Sequence, residues 1–349
     1  MILAGGTGGH IFPGLAVADE LAARKIPVVW LGAIGGLETR LVPQHGLRIE
    51  TLDIGGLRGK GVLTALLMPF RLASATFAAR AMLKRYTPRS VLSLGGYAAA
   101  PGGIAARLAN IPLVVHEQNR IAGVTNRLLA RNAERVLTGF TDVFPQGEWV
   151  GNPVRASIAA LPIPAARYAG REGPLKLLVL GGSQGAQSLN AALPEVLRRR
   201  GSRLPVMVRH QCGARHFEKA RAAYLAAGID ADVVPFEDDM AAAYAWADLV
   251  ICRAGALTLA ELAAAGVPAI LVPYPHAVDD HQTKNAEAMV AVGAACLVPE
   301  TDDFVKRLGV VFEEVGNRAK LLKMATAART LAKPDAAQRI ADVCLEVGA

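Results

Sequence analysis

The sequence has few of the residues that define several common protein classes. Of its 349 residues only 4 are cysteines and 5% are aromatic. The cysteines are widely spaced with no Cys-x-x-Cys pair, which excludes a disulfide scaffold and favours buried or free thiols in a reducing compartment. The histidines lack zinc-binding spacing. Because aromatic residues are sparse and no known binding motif is present, we expect no nucleic-acid partner.

Long apolar runs and several functional signatures are also missing. The N-terminus lacks the charged region, apolar core and cleavage site of a secretory signal. The apolar run at residues 61–70 ends at Arg71, so it is too short to span a bilayer. Neither a Walker motif nor a Gly-x-Ser-x-Gly elbow occurs, which argues against the common NTPases and hydrolases.

Positive charge is concentrated in the first half of the chain. Residues 1–163 contain 17 Lys and Arg against 9 Asp and Glu, and the whole chain carries +8. No acidic residue lies between Asp53 and Glu117. The apolar run 61–70 lies inside this basic stretch, which favours contact between residues about 61–85 and an anionic membrane surface. The alternative is a buried helix with a solvated basic face.

Apolar runs alternate with alanine- and leucine-rich stretches in both halves, as in parallel α/β sheets. The predicted strands are Ile2–Ala4, Val28–Leu31, Ile49–Leu52, Val91–Leu94, Leu113–His116, Arg135–Thr138, Leu175–Leu180, Pro205–Arg209, Val233–Pro235, Leu249–Cys252, Ala269–Val272 and Ala295–Val298. A proline-rich linker over Gly151–Pro164 separates the halves. We therefore predict an α/β fold of two Rossmann-like domains, residues 1–160 and 161–349, with parallel sheets facing a central cleft. The chain from about Asp302 is predicted to be helical, and the last helix is expected to pack back on the first domain.

Four glycine-rich turns follow predicted strands. They are Gly5–His10, Gly95–Gly103, Gly181–Ala186 and Arg253–Ala256. Glycine lets backbone N–H groups approach a ligand closely, and a helix that begins after the turn adds a partial positive charge. The turns therefore predict phosphorylated ligands, with tight strand-to-helix turns as the alternative. Since no acid follows the second strand until Glu38, a nicotinamide cofactor is disfavoured.

Polar groups stand beside these turns. Thr258 and Glu261 lie on one face near a helix start, where the carboxylate could accept hydrogen bonds from a ribose diol; a capping box is the alternative. The segments His116–Asn119 and Asp279–Gln282 are rich in groups that bind sugar hydroxyls or other ligands, although a solvated loop would also explain the second. The motif Asp230-Ala-Asp232 has the form of a metal site, but a turn is favoured there and we expect no metal.

Taken together, the ordered motifs resemble the MurG family of bacterial cell-wall glycosyltransferases. The matching motifs are Gly5–Pro13, Gly56–Gly61, Gly95–Tyr97, His116–Asn119, Gly151–Arg155, Gly181–Ala186, Asp238–Tyr244 and Gly255–Thr258. The resemblance implies the GT-B fold, no cofactor, and an inverting, metal-independent transfer. GlcNAc would pass from UDP-GlcNAc to the C4 hydroxyl of MurNAc in undecaprenyl-diphospho-MurNAc-pentapeptide (lipid I), forming lipid II for peptidoglycan synthesis. The alternatives are a UDP-GlcNAc 2-epimerase and a non-catalytic, membrane-associated nucleotide-sugar-binding module.

The resemblance also assigns site residues, beginning in the first domain. The substrate-binding residues that it implies are Thr7, Gly8, Gly9, Asn119, Arg155, Ser183, Ala256, Leu257, Thr258, Leu259, Ala260, Glu261 and Gln282. Thr7, Gly8 and Gly9 belong to the glycine turn near the reacting sugar and diphosphate. Asn119 resembles a contact to the GlcNAc hydroxyls. His10 lies on the first glycine turn, so it is our candidate for the general base.

The other implied contacts are to the nucleotide and the sugar. Arg155 and Ser183 resemble diphosphate and nucleotide contacts. Residues 256–261 resemble the segment that binds uridine diphosphate, with Glu261 on the ribose. Gln282 aligns with a contact to a sugar hydroxyl.

The resemblance implies a location and partners as well. In the family, the basic-rimmed apolar patch of the first domain contacts the membrane, so a peripheral position on the cytoplasmic face of the inner membrane is expected. Other proteins of cell-wall synthesis are candidate partners.

The sequence departs from the family's pattern at two places. Only four residues precede Gly5, so the first strand is short. Glu237 stands where relatives often have an apolar residue near the uracil, which leaves a backbone contact as the alternative there.

Overall fold

The computed structural model describes residues 1–55, 67–182, 184–201 and 205–349, except for the side chain of residue 278. The motif Gly56–Gly61, the beginning of the predicted membrane segment and Ser183 therefore lie outside the described residues. The chain divides into two units, one formed by Met1–Val154 with Asp335–Ala349 and the other by Arg155–Pro334. The predicted boundary at residues 160 and 161 lies close to this division.

The first unit is built on a parallel sheet. Its described strands are β1 (Ile2–Ala4), β2 (Val29–Ala33), β3 (Arg48–Leu52), β4 (Val91–Gly95), β5 (Leu113–Glu117), β6 (Arg135–Thr138) and β7 (Glu148–Trp149). They are ordered β3-β2-β1-β4-β5-β6-β7, and every neighbouring pair is parallel. The described α-helices of this unit are α1 (Gly8–Ala23), α2 (Glu38–Gln44), α3 (Met68–Tyr86), α4 (Ala99–Leu108), α5 (Val124–Leu129) and, at the end of the chain, α15 (Ala336–Glu346).

The second unit repeats this architecture. Its described strands are β8 (Leu175–Leu180), β9 (Val206–Gln211), β10 (Ala231–Val234), β11 (Leu249–Cys252), β12 (Ala269–Leu271) and β13 (Ala295–Leu297), ordered β10-β9-β8-β11-β12-β13 and all parallel. Its described α-helices are α6 (Ala156–Ala159), α7 (Pro164–Tyr168), α8 (Gln187–Arg200), α9 (Phe217–Ala227), α10 (Met240–Trp246), α11 (Ala256–Ala265), α12 (His281–Ala291), α13 (Phe304–Val315) and α14 (Arg318–Arg329).

These sheets confirm the predicted fold class of two Rossmann-like α/β units. Each predicted strand is present, with shifts of at most a few residues at its ends. The central strands are buried along their whole length, as Val91–Gly95 and Leu113–Glu117 show. A parallel sheet covered on both faces requires such continuous apolar strands, which is why they could be recognised. Strand β7 was not predicted because two residues carry no periodic pattern.

The last helix, α15, packs on α1 within the first unit. Ile340 and Val343 are fully buried in the same cluster as Ile11 and Leu15. Burial of each such side chain contributes about 1.5–3 kcal/mol. Arg24 on the first helix reaches the last one through an ion pair with Asp342, with Nη1 and Oδ1 2.5 Å apart. The end of the chain is thus part of the first unit's core. None of the described helices has the length and apolar character needed to cross a bilayer.

The strand orders place two glycine turns next to each other in each unit. The order in which the chain adds strands to the sheet reverses between β1 and β4, and in the second unit between β8 and β11. Ligands of open parallel sheets bind outside the carboxyl ends of the strands at such a point. In the first unit the two turns come so close that a Cβ on Gly96 would lie 2.3 Å from the Gly5 carbonyl oxygen.

Replacement of Gly96 by alanine should therefore be strongly destabilising. Gly96 has φ +92, and a Cβ added there would meet backbone, which cannot move aside cheaply. We expect the free energy of unfolding to fall by about 2–4 kcal/mol, from left-handed strain and overpacking together. Gly46→Ala is the matched control, because Gly46 has φ +70 but a Cβ there would have no described atom within 4 Å. Urea denaturation that gave equal losses for the two variants would contradict the close approach.

Candidate active site

The first glycine turn leads directly into helix α1. Thr7 is the residue before the helix and is extended (φ −128, ψ 157), without a capping bond from its side chain. The helix begins at Gly8, and the His10 N–H already bonds to the Thr7 carbonyl at 3.1 Å. The N–H groups of Gly8 and Gly9 therefore precede the first helical hydrogen bond and point out of the helix end. This end has the dipole and donors of an anion site.

The ring of His10 is oriented by the turn that precedes it. Its Nδ1 atom lies 3.1 Å from the Gly5 carbonyl oxygen. A carbonyl oxygen only accepts, so Nδ1 carries the proton and Nε2 of the neutral ring keeps a lone pair. Gly95 leaves room for this ring, since a Cβ there would lie 3.1 Å from Nε2. The geometry thus presents the tautomer that a general base needs.

The first turn is held from behind by a buried carboxylate. Glu38, the first residue of α2, is fully buried. Its Oε2 accepts a hydrogen bond from the Gly6 N–H at 3.1 Å, and its Oε1 accepts one from the Ala33 N–H at 2.8 Å. A Cβ on Gly5, Gly32 or Gly36 would come within 2.5 Å of this side chain, so the three glycines make its space. The sequence had singled out Glu38 only as an acid badly placed for ribose.

Strand β5 ends in a second polar cluster. Glu117 accepts hydrogen bonds from the Asn119 N–H at 3.0 Å, the Gly123 N–H at 3.1 Å and the Asn126 side chain at 3.0 Å. Asn126 also bonds to Ser93 on the neighbouring strand β4. Asn119 itself is only partly buried. The segment is therefore a fixed platform that holds the predicted sugar contact at its rim.

His116, in the same motif, is structural rather than reactive. It is fully buried, and burial lowers its pKa to about 4. The ring is therefore neutral at pH 7, and its Nε2–H donates to the Gly151 carbonyl 2.9 Å away. The Gln118 side chain donates to the other ring nitrogen at 3.3 Å. This network ties the end of β5 to the segment that follows β7.

In the second unit, helix α11 begins with its N–H groups uncapped by a side chain. Gly255 is the extended residue before the helix and makes no side-chain cap. The first bond back to it comes from the Leu259 N–H at 3.0 Å, so Ala256, Leu257 and Thr258 supply the outward N–H groups. Leu259 is buried in the core. The capping-box alternative is wrong, because Thr258 is the third residue of the helix and not its cap.

The opposite end of α11 is closely capped by two arginines. The buried Arg167 donates to the carbonyls of Ala265 at 2.7 Å and Gly266 at 2.5 Å. Arg329 donates to the Ala264 carbonyl. These guanidinium groups satisfy the last carbonyls and match the negative end of the helix dipole.

Glu261 is held from two sides. Its Oε1 accepts hydrogen bonds from Arg155 Nε at 3.2 Å and Nη2 at 2.9 Å, and its Oε2 accepts one from the Tyr244 hydroxyl at 3.0 Å. The Arg155 side chain is 51% exposed and that of Glu261 18%. Two predicted contacts, to diphosphate and to ribose, are thus in direct contact with each other. Tyr244 belongs to one of the matching motifs but was not predicted as a site residue.

The remaining predicted residues of this unit lie on α12 and around β10. Gln282 is anchored through Oε1, which accepts the Tyr274 N–H at 2.9 Å, so its amide nitrogen forms the donor end. Glu237 is buried and paired with Arg209, whose Nε lies 2.8 Å from its Oε2. Asp232 belongs to the start of β10 and also faces Arg209, at 3.6 Å. Within the described residues no group of three or more His, Cys, Asp or Glu could hold a metal ion.

Family models and solved structures agree on the class of protein. Residues 1–138 match the glycosyltransferase family 28 N-terminal domain, and residues 176–340 match the corresponding C-terminal domain. A solved UDP-GlcNAc 2-epimerase from Neisseria meningitidis, 12% identical with a TM-score of 0.66 over 99% of this chain and 98% of its own, shows the shared fold alone. The two units are those of a glycosyltransferase with the GT-B fold.

Closer relatives identify the family. The chain is 60% identical over 347 residues to an N-acetylglucosamine transferase of Xanthomonas axonopodis pv. citri, covering 99% of this chain and 81% of that one. An enzyme of the same name from Xylella fastidiosa is 59% identical, with 99% and 96% covered. The crystal structure of Acinetobacter baumannii MurG is 40% identical, with a TM-score of 0.89 and 99% of each chain covered. The chain belongs to the MurG family of glycosyltransferases.

Proposed function

We propose that this protein transfers GlcNAc from UDP-GlcNAc to the C4 hydroxyl of MurNAc in lipid I, and so makes lipid II for peptidoglycan synthesis. The observation that carries the proposal is the identity of about 60% to transferases whose names specify UDP-N-acetylglucosamine and N-acetylmuramyl-(pentapeptide) pyrophosphoryl-undecaprenol. Two helix N-termini beside glycine turns, one in each unit, support it, because donor and acceptor each carry a diphosphate.

The second unit binds the donor in this proposal. The outward N–H groups of Ala256, Leu257 and Thr258 face the diphosphate, and Arg155 adds a positive charge. Glu261 accepts hydrogen bonds from the ribose hydroxyls, and Gln282 donates to a sugar hydroxyl. Ser183, which lies outside the described residues, contacts the nucleotide in this proposal.

The first unit binds the acceptor and supplies the base. Thr7, Gly8 and Gly9 lie near the reacting sugar and the diphosphate, and Asn119 contacts the GlcNAc hydroxyls. The acceptor O4 attacks C1 of GlcNAc, the bond between C1 and the β-phosphate oxygen breaks, and UDP leaves with inversion. Nε2 of His10 takes the proton from O4. Backbone N–H groups of the second unit stabilise the charge that grows on the β-phosphate, without a metal.

The reaction can be tested with purified protein, UDP-GlcNAc and a short-chain lipid I analogue. We expect UDP release that depends on the acceptor, together with a β-1,4-linked disaccharide product. Release of UDP or formation of ManNAc without the acceptor would instead establish the epimerase. Binding of UDP-GlcNAc without turnover in either mixture would establish the non-catalytic module.

His10→Ala should lower kcat by roughly 100-fold or more, because a positioned base contributes about that much or more to proton transfer. The dissociation constant for UDP-GlcNAc should stay unchanged, since in this proposal His10 contacts the acceptor hydroxyl and not the donor. His45→Ala is the control for loss of an imidazole, as its side chain is 42% exposed and lies elsewhere in the same unit. Near-normal turnover of His10→Ala would remove His10 as the base.

We also propose that α3 lies against the cytoplasmic face of the inner membrane and holds the enzyme there as a peripheral protein. Phe70 and Phe77 are 74% and 71% exposed, and their spacing of seven residues places them on one side of the helix. Exposed Arg71, Arg80 and Lys84 lie on the same helix. Aromatic side chains for the acyl boundary beside cations for anionic headgroups support an interfacial helix.

The double variant Phe70→Ser with Phe77→Ser should bind phosphatidylglycerol-containing vesicles more weakly by about tenfold or more for each side chain, since each loses about 1.4 kcal/mol or more of apolar transfer. Co-sedimentation with vesicles measures this. Leu225→Ser is the control, because Leu225 is 71% exposed but belongs to the other unit. Equal binding of the double variant and the wild type would exclude this face of α3 as the membrane contact.

A further inference from the structure

Tyr244 is a buried residue whose only polar side-chain atom faces the donor-binding carboxylate. It lies on α10 and its side chain is fully buried. Its hydroxyl lies 3.0 Å from Oε2 of Glu261, on the neighbouring helix α11. A carboxylate accepts and a phenol donates, so the direction of this bond is fixed. The pair therefore links a core side chain to a group at the site.

The position of Tyr244 is itself firmly determined. Its carbonyl oxygen accepts a hydrogen bond from Nη1 of the buried Arg167 at 3.1 Å. The start of its helix is capped by Asp239, which accepts the Ala242 N–H at 2.9 Å. Burial raises the pKa of Tyr244 well above its usual value, so the hydroxyl is protonated at neutral pH. Tyr244 is therefore a hydrogen-bond donor in a fixed place.

The other partner of Glu261 has a different character. Arg155 bonds to Oε1, but its side chain is 51% exposed. An exposed ion pair is screened by solvent and has a long side chain to order, so it restrains the carboxylate weakly. A hydrogen bond from a buried neutral donor to a charged acceptor is stronger than such an exposed pair. The orientation of the carboxylate therefore depends mainly on Tyr244.

We propose that Tyr244 is a positioning residue for Glu261, which it orients so that the unused lone pairs of the carboxylate meet the ribose diol of a nucleoside diphosphate. This inference rests on the proposed function, in which Glu261 binds ribose. An ionised carboxylate has about four acceptor sites, and the Tyr244 hydroxyl occupies one of them. Without that bond the carboxylate is free to turn toward Arg155, and the sugar hydroxyls lose a preoriented acceptor.

The test is the preference of Tyr244→Phe for UDP over 2′-deoxy-UDP and 3′-deoxy-UDP, measured by calorimetry. We expect the variant to bind UDP roughly tenfold more weakly than the wild type does, with a smaller loss for the deoxy nucleotides, so that the preference for the ribose diol declines. In the transfer assay KM for UDP-GlcNAc should rise while kcat changes little, because the ribose lies away from the reacting atoms.

Tyr224→Phe is the matched control. Tyr224 is also buried in the second unit, and its hydroxyl donates to Nδ1 of His210 at 2.9 Å. It lies on the helix between β9 and β10, which are at one end of the sheet, whereas α11 follows β11 on the other side of β8. It should leave the preference for UDP over the deoxy nucleotides unchanged, whatever its effect on stability. Equal losses of UDP and deoxy-UDP affinity in Tyr244→Phe would show a merely structural role and overturn the proposal.

A double-mutant cycle with Glu261→Gln makes the test independent of the stability of one variant. If Tyr244 acts through Glu261, its replacement should change the preference for the ribose diol much less when Glu261 is already replaced. Undiminished effects in that background would overturn the proposal. A wild type that binds UDP and both deoxy nucleotides equally would instead overturn the assignment of Glu261 to ribose, which belongs to the proposed function.

Discussion

The close approach of two backbone turns at the point where strand order reverses determines the rest of the first unit's site. Gly96, after β4, leaves no room for a Cβ against the Gly5 carbonyl, after β1. The same carbonyl accepts a hydrogen bond from the Nδ1–H of His10, so its position also sets the tautomer and orientation of that ring. Glu38 fixes the turn from behind through the Gly6 N–H. A shift of either turn would thus disturb the helix end and the proposed base together.

In the second unit, the helix end that we propose as the anion site has a different physical basis. Here the carbonyl groups at the end of α11 are hydrogen-bonded, whereas the N–H groups at its beginning are left without a side-chain partner. Arg167 and Arg329 bond to the last carbonyls, whereas Gly255 places no side chain over the first N–H groups. A helix treated in this way presents its positive end to a ligand without an opposing demand at its negative end. The glycine turn could be predicted from the sequence and the two arginines could not, yet all three residues leave the positive end of this helix available to a ligand.

Whether a feature of this structure could be predicted from the sequence depends on how far apart in the chain its interacting residues lie. Strands such as Val91–Gly95 were recognisable because each is a short, continuous apolar run between turn signals. The role of Glu38 depends on glycines after β1, near the end of β2 and before α2, which only the folded sheet brings around one side chain. The bond between Tyr244 and Glu261 joins two helices separated by β11. Local patterns predict elements and turns, but contacts between side chains on different elements require the packing.

The ion pair between Arg155 and Glu261 has a consequence for donor recognition. In the proposed roles Arg155 binds the diphosphate and Glu261 binds the ribose, yet in this structure the two side chains pair with each other. Because the arginine is half exposed, giving up this pair costs about 1 kcal/mol or less, and a diphosphate offers it a stronger, doubly charged partner. In these roles, its transfer to the diphosphate would free Oε1 while Tyr244 continues to hold Oε2. A nucleoside without phosphates would meet a carboxylate that is still paired with Arg155, so recognition of the ribose would be coupled to recognition of the diphosphate through one side chain.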